Sequence, residues 1–264
     1  MVILLNWEVI EMKNYSTNEL MIVTASRLLK NGQNVVVGLG LPQIASILAK
    51  YTHAPDLNII YEIGVVNPES VDMGVGLADS RLWYRADYFT SFVGSLGGLL
   101  QKGLVDVGFL GGLQVDKHGN LNTTLIKKEN GIRHFTGSGG SADIATYSKN
   151  IYVIIKHEKR KIVDVVDFIT SVGYLTGFAS RKEVGLPMCE SIKIITNLCV
   201  FSLDCKNTYL ALESIHPGIE IDDIKNNTGF DIPILKDNIK NTEEPNETEL
   251  SLIRNRIDTK KMYL

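Results

Sequence analysis

Cysteine is scarce in this chain. There are three, Cys189, Cys199 and Cys205, and none stands in a C-x-x-C spacing. An odd count without a framework excludes a disulfide scaffold and suits a reducing, cytoplasmic setting. Neither sign of charge dominates: 27 Lys and Arg against 30 Asp and Glu leave a net charge of −3. That balance gives no broad footprint for nucleic acid or an anionic membrane. Long apolar runs are missing as well. The start, "MVILLNWEVIEMK", has five apolar residues before Asn6 and Glu8 interrupt it, with no basic flank and no cleavage site. Neither a signal peptide nor a membrane span is expected there. His118, His134, His157 and His216 form no H-x-x-x-H or His/Cys ligand set, so no metal is indicated. There is no internal repeat and no clear linker.

What is present is an alternation of short apolar runs and amphipathic segments. Residues 16–31, "STNELMIVTASRLLKN", read as a helix capped by Ser16 or Thr17 and stopped by Gly32. "NVVVGLG" then reads as a strand, "LPQIASILAKYTH" as a helix opened by Pro42, and "LNIIYEIG" as a second strand. This β-α-β unit favours a parallel sheet with a right-handed crossover. Further strands are expected at 104–112, 151–157, 165–170 and 191–203, with a short helix at "SADIATYSKN" and a final one at "LSLIRNRI". Several of these runs are too uniformly apolar to have one wet face, which implies helices on both sides. The expected fold is an α/β domain, an open and mostly parallel sheet covered by helices on both faces. "KDNIKNTEEPNETE" (236–249) reads as a polar surface excursion, and His216-Pro217-Gly218 as a turn. Asp79, Arg81 and Arg85 read as solvent-facing charge. The one dense basic cluster, His157-Glu158-Lys159-Arg160-Lys161, reads as a solvated strand end, with contact to an anionic ligand as the alternative.

Four glycine-bearing stretches follow apolar runs: "GLGLP" (38–42), "EIGVV" (62–66), "LGGLQVDKHGNLN" (110–122) and "FTGSGGSAD" (135–143). Loops after the carboxyl ends of parallel strands gather at one edge, where ligands bind. Glycines such as Gly38, Gly40 and Gly64 there let backbone N–H groups approach an anion or a developing oxyanion. Dinucleotide binding is one reading, with Gly38 and Gly40 as the G-x-G and Glu62 on a ribose. Gln43 at the third fingerprint position, where a small residue is needed, and Pro42 at the helix start argue against it. Glu62 is the other signal, because a carboxylate within an apolar run is costly to desolvate. It serves either as a structural partner, in a salt bridge or a cap, or as a nucleophile toward a thioester carbonyl.

The stretches "YSTNEL", "VVVGLGLP", "APDLNIIYEIG", "FLGGLQVDKHGNLNTT", "RHFTGSGGSADIATYS", "IIKHEKRK", "IITNLCVF", "SIHPGIEIDDIKNNTGFDI" and "LIRNRID" carry a resemblance. Over residues 15–258 the chain resembles the β subunits of class I CoA-transferases, of the glutaconate type. The resemblance implies the NagB/RpiA/CoA-transferase-like fold for a single domain at 14–264. Residues 1–13 are then an added arm or an upstream start, with translation beginning at Met12; an N-terminal mass tells these apart. Glu62-Ile63-Gly64 falls on the family's Glu-x-Gly at a strand end, which makes Glu62 the implied nucleophile; the family pattern has Ser or Asn where this chain has Ile63. Gly137, Ser138, Gly139 and Gly140 match the loop associated with the thioester and oxyanion, and Gln114 and Asn120 match a block lining the same edge. A homologous α subunit, in an (αβ)2 or larger assembly, is the implied partner, with an acyl-CoA and a carboxylic or dicarboxylic acid as ligands. Coenzyme A enters as substrate and transient covalent adduct, with no other cofactor. Two alternatives stay open: a two-subunit CoA-ester hydrolase of the ring-opening type, and a non-catalytic ligand-binding subunit.

Overall fold

A computed structural model of the chain describes residues 14–69, 73–74, 76–204, 209–233 and 239–264. The N-terminal arm at 1–13, Cys205, and parts of the segments at 66–83 and 236–249 lie outside the described residues. The first half runs α1 (Thr17–Arg27), β1 (Asn34–Val37), α2 (Leu41–Tyr51), β2 (Asn58–Tyr61), β3 (Val65–Val66) and β4 (Tyr88–Phe89). A π-helix, Val93–Leu100, leads to β5 (Val107–Leu110), β6 (Gln114–Asp116) and β7 (Leu121–Asn122). The hairpin β8 (Leu125–Lys128) and β9 (Gly131–His134) precedes α3 (Ser141–Tyr147), β10 (Asn150–Ile154), β11 (Ile162–Val163) and α4 (Phe178–Glu183). Then follow β12 (Ser191–Ile195), β13 (Cys199–Asp204), β14 (Ala211–Ile215), α5 (Ile221–Asn226), β15 (Lys240–Asn241) and α6 (Glu247–Leu252).

The main sheet has the order β15-β14-β13-β12-β10-β5-β1-β2-β3-β4. Its centre, from β12 through β10, β5 and β1 to β2, is parallel, and antiparallel strands extend both sides. Strand alternation sends neighbouring side chains to opposite faces. Val35 and Val37 join Ile22, Ile44 and Leu48 beneath α1 and α2, whereas Val36 joins Leu96, Leu100, Ile144 and Phe201 on the other face. The sheet is therefore covered on both sides, as the uniform strands imply. Against the second face α3 lies close to β5: a β-carbon on Gly108 would sit 2.4 Å from Ile144 Cγ2.

Several local expectations change. Helix α1 is capped by Ser16 in a capping box with Glu19 and ends at Leu28, ahead of Gly32. The run 191–203 is a hairpin, because the Thr196 hydroxyl accepts the N–H groups of Leu198 and Cys199 and turns the chain. The run 165–170 is irregular. The Gln114 side chain accepts the Asp167 N–H and donates to its carboxylate, while Val165 points outward at 68% exposure. The final helix begins at Glu247, capped by Asn246 and Glu249, and continues as a π-helical turn, Ile253–Ile257. His216 precedes the turn at 217–218, as expected. Asp79 pairs with Arg81 and Glu69 with Arg85, so these charges have local partners. Among the described residues no helix is long and apolar enough to cross a membrane.

His157 is no solvated strand end: it is 4% exposed, with its ring nitrogens 3.1 and 3.0 Å from the hydroxyls of Thr196 and Thr228. Burial pushes its pKa down to about 4. The unfolded chain, with a histidine near 6.5, therefore binds a proton that the folded chain refuses. Stability is expected to fall by about 3 kcal/mol as pH drops from about 6.5 through 4. Urea melts across this window, compared with those of His157→Gln, check this: the variant's acid slope is the shallower one.

Candidate active site

Strand β2 ends at Tyr61, so Glu62 stands at its carboxyl end rather than within it. The chain reverses at once, with the Gly64 N–H donating to the Tyr61 carbonyl at 2.9 Å and β3 pairing back onto β2. Gly64 has φ +98°, and a β-carbon there would meet the Thr90 carbonyl oxygen at 2.2 Å. Glycine is required on both counts. From the π-helix, the Ser95 hydroxyl donates to the Glu62 carbonyl and fixes the main chain beneath the carboxylate. Ile63, where the resemblance leads one to expect Ser or Asn, packs against the apolar core under α1 and α2. It offers the carboxylate no hydrogen bond.

The Glu62 side chain is half-buried and accepts the backbone N–H of Gly140. A β-carbon on Gly140 would lie 2.4 Å from Glu62 Oε2 and 3.1 Å from Leu96 Cδ1. Residues 78 apart in sequence thus meet, and the space for that contact exists because residue 140 has no side chain. Burial raises the Glu62 pKa, and the Gly140 hydrogen bond opposes that rise in part. Among the described residues Glu62 has no cationic partner. The salt-bridge reading therefore fails, while a cap-like contact with the amino end of α3 is present.

The other sequence candidates divide. Gly38 and Gly40 follow β1, and Gly40 caps α2 with the ring of Tyr263 packed 3.8 Å from where a β-carbon would be. Gln43 is buried against Tyr61, which fills the space a dinucleotide fingerprint would need. Gly137 and Gly139 have positive φ, and Thr123 holds Gly137 from both sides: the Gly137 N–H donates to the Thr123 carbonyl and the Thr123 hydroxyl to the Gly137 carbonyl. Ser138 and Gly139 are exposed beside this anchor. The loop follows the separate β8–β9 hairpin rather than a main-sheet strand; α3 brings it to the shared edge. Gln114 and Asn120 do not join the site by their side chains. Both are buried, Gln114 on Asn122 and Asp167, Asn120 on Asp116, Gly173 and Leu175. Their amides organise the loops behind the edge. Among the described residues no group of three or more His, Cys, Asp or Glu side chains is gathered as metal ligands would be.

Two positioning residues carry no local sequence signal. Ser95 is one. Arg181 is the other: it is fully buried and donates to the carbonyls of Ala145 and Thr146 at the carboxyl end of α3, and to those of Gly173 and Pro187. A guanidinium suits a helix C-terminus, and its planar set of donors serves several carbonyls at once. Arg181→Ala leaves these acceptors without their partner, and is expected to cost on the order of 3 kcal/mol or more. Arg181→Lys should recover less than half of that in a denaturant melt, since one ammonium cannot reach all of these carbonyls.

Residues 18–227 match the model of the coenzyme A transferase family. The chain belongs to the coenzyme A transferase family. It is 39% identical over 244 residues to the β subunit of 3-oxoadipate CoA-transferase of Pseudomonas knackmussii, covering 92% of this chain and 94% of that one. It is 34% identical over 257 residues to the β subunit of glutaconate CoA-transferase of Acidaminococcus fermentans, covering 95% and 96%. The crystal structure of the Acidaminococcus enzyme superposes with a TM-score of 0.87 at 33% identity, over 95% of this chain and 97% of that one. A shorter match, 28% over 154 residues, covers 58% of this chain and 60% of one chain of a cholesterol ring-cleaving hydrolase of Rhodococcus jostii. As a family member, the chain handles CoA as a substrate, and its fold is that of the glutaconate enzyme.

Proposed function

We propose that this chain is the β subunit of a two-chain CoA-transferase that moves CoA between carboxylic acids through a covalent thioester on Glu62. The observation that carries the reading is the Glu62 carboxylate itself. It stands at the carboxyl edge of the parallel strands, desolvated, without a cation, on the N–H of Gly140. A carboxylate held this way is poorly solvated when ionised, which favours attack on carbon.

In the first step a Glu62 oxygen bonds to the acyl carbonyl carbon and the C–S bond breaks, giving a mixed anhydride and CoA thiolate. The thiolate then attacks the glutamyl carbonyl, the first acid leaves as its carboxylate, and the enzyme holds CoA as a thioester. A second carboxylate reverses both steps. Atoms and charge balance without water or an external proton. Backbone N–H groups in the run 137–140 are suited to the tetrahedral oxyanions.

Each of the two transferase relatives is named as one subunit of its enzyme, which supports a partner chain here. An exposed aromatic surface supports it too: Tyr88 and Phe89 lie on the edge strand β4, with Trp83, Tyr84, Phe92 and Val93 beside it. Large apolar groups at a sheet edge favour coverage by another chain. An αβ pair, or a multiple of it, is the proposed assembly. The two transferases compared are named for dicarboxylates, glutaconate and 3-oxoadipate, which supports a dicarboxylic substrate.

The test is steady-state kinetics of the assembled two-chain enzyme with an acyl-CoA and a dicarboxylate acceptor. Parallel double-reciprocal lines, with CoA recovered on the acceptor, are expected. Free thiol accumulating with no acceptor product overturns transfer in favour of hydrolysis.

A further inference from the structure

The loop at 137–140 has no regular structure of its own, yet Glu62 accepts its hydrogen bond from Gly140 at the loop's end. Of its four residues three are glycine, and Gly137 and Gly139 have positive φ. Glycine has the widest backbone freedom, so such a run costs the most entropy to order and does not hold its own shape. Its place must be set from its two ends.

The segment 170–171, which the chemistry at Glu62 does not use, reaches both of them. It runs beside β7, where the N–H groups of Thr170 and Ser171 donate to the Leu121 carbonyl at 2.8 and 3.1 Å. The Leu121 N–H returns to the Ser171 carbonyl at 2.9 Å. From this seat the Thr170 hydroxyl accepts the Thr123 N–H at 3.0 Å and shares a hydrogen bond with the Thr124 hydroxyl at 2.7 Å. Thr123 is the residue that grips Gly137 through both its N–H and its carbonyl. The buried Ser171 hydroxyl donates to that of Ser141 at 2.8 Å, and Ser141 follows Gly140 as the first residue of α3. One hydroxyl therefore serves each end of the glycine run.

We propose that Thr170 and Ser171 are positioning residues for acyl transfer, a clamp that keeps the Gly140 N–H on the Glu62 carboxylate and the rest of the loop in place for the oxyanion. The inference rests on the reading of Glu62 as the acyl-transfer centre. Both residues act through Thr123 and Ser141 rather than on the reacting atoms. Donors aimed at developing charge are effective because they are fixed beforehand, so a loosened loop weakens the chemical step more than it weakens binding.

The experiment uses the assembled enzyme and the double variant Thr170→Val, Ser171→Ala. The variant removes both hydroxyls, nearly keeps the side-chain shapes, and leaves the main-chain bonds to Leu121. Its kcat is expected to fall about tenfold or more, since small displacements of a reacting group are costly. The KM values for acyl-CoA and acceptor should stay within about twofold. Thr170→Ser, which keeps the hydroxyl and loses only a methyl, should retain kcat within about twofold. Hydrogen–deuterium exchange over residues 137–141, which needs no turnover, should quicken about tenfold in the double variant while β10 keeps its protection. An unchanged kcat overturns the proposal, as does an equal loss in Thr170→Ser or a rise in KM larger than the fall in kcat. Exchange in the loop as slow as in the wild type overturns it too. If the loop loosens and kcat falls as expected but the wild type forms no adduct on Glu62, the clamp stands and the covalent reading falls.

Discussion

Glu62→Gln is expected to abolish transfer in the assembled enzyme while raising the melting temperature of the chain. The amide is no nucleophile, and the covalent route has no substitute for it, so kcat should fall by at least about 10³-fold. The stability change has the opposite sign for an electrostatic reason. Burial holds the Glu62 carboxyl above its usual pKa in the folded chain. The folded state therefore binds that proton more readily than the unfolded state. The stability this provides is complete below the unfolded value and is lost as pH rises through the folded one. Once ionised, the side chain is a net cost to the folded state, and glutamine removes that cost while keeping an oxygen for the Gly140 N–H. The difference between wild type and variant should close below about pH 4, where a carboxyl is protonated in both states. Thermal melts at pH 7 and pH 4 check this.

Gly140→Ala is expected to lower kcat about 10²-fold with the fold retained. The residue has φ −83° and ψ −2°, a conformation alanine adopts without strain. The added methyl would sit 2.4 Å from Glu62 Oε2 and 3.1 Å from Leu96 Cδ1. Both neighbours are side-chain ends that can swing away, so the folding cost is small. The carboxylate is displaced, however, and misplacing a reacting group by about 1 Å can cost on the order of 10²-fold. Gly64→Ala makes the contrast, because its methyl would strike the Thr90 carbonyl, which belongs to the backbone, at 2.2 Å. That variant should lose stability first. Steady-state rates and melting curves on the two proteins separate a displaced nucleophile from a damaged fold.

The β1–α2–β2 unit is legible in the sequence because its strands are apolar on both faces and Pro42 opens its helix. The π-helix Val93–Leu100 is not. Gly94, Gly97 and Gly98 each weaken a helix by roughly 1 kcal/mol, and burial of Leu96 and Leu100 against the sheet supports it. At 165–170 apolar composition misleads, since Gln114 fixes the backbone there and Val165, Phe168 and Ile169 face outward while Val166 alone of the apolar side chains is buried. In 191–203 the turn signal at Thr196-Asn197 is present but hidden by the apolar residues on each side. The hairpin β8–β9 has its own signal, Asn130-Gly131 at the turn, obscured by the charged residues around it.

The site shows the same division. Glu62 stands out locally because a carboxylate in an apolar run is costly. Its contact with Gly140 depends on α3 settling against Gly108, a long-range packing event with no trace in either segment alone. Gln114 and Asn120 lie in a matching block, but their amides serve the loops behind the edge. Arg181 looks like any charged residue in the sequence, and only the packing of α3 and the loop at 172–187 buries it.

The measurement that tests the central claim most directly is peptide mass spectrometry of the assembled enzyme after brief exposure to an acyl-CoA without acceptor. A CoA-sized adduct on the peptide containing Glu62, absent in Glu62→Gln, is the predicted result. Turnover with no adduct, or an adduct that survives in Glu62→Gln, would contradict it.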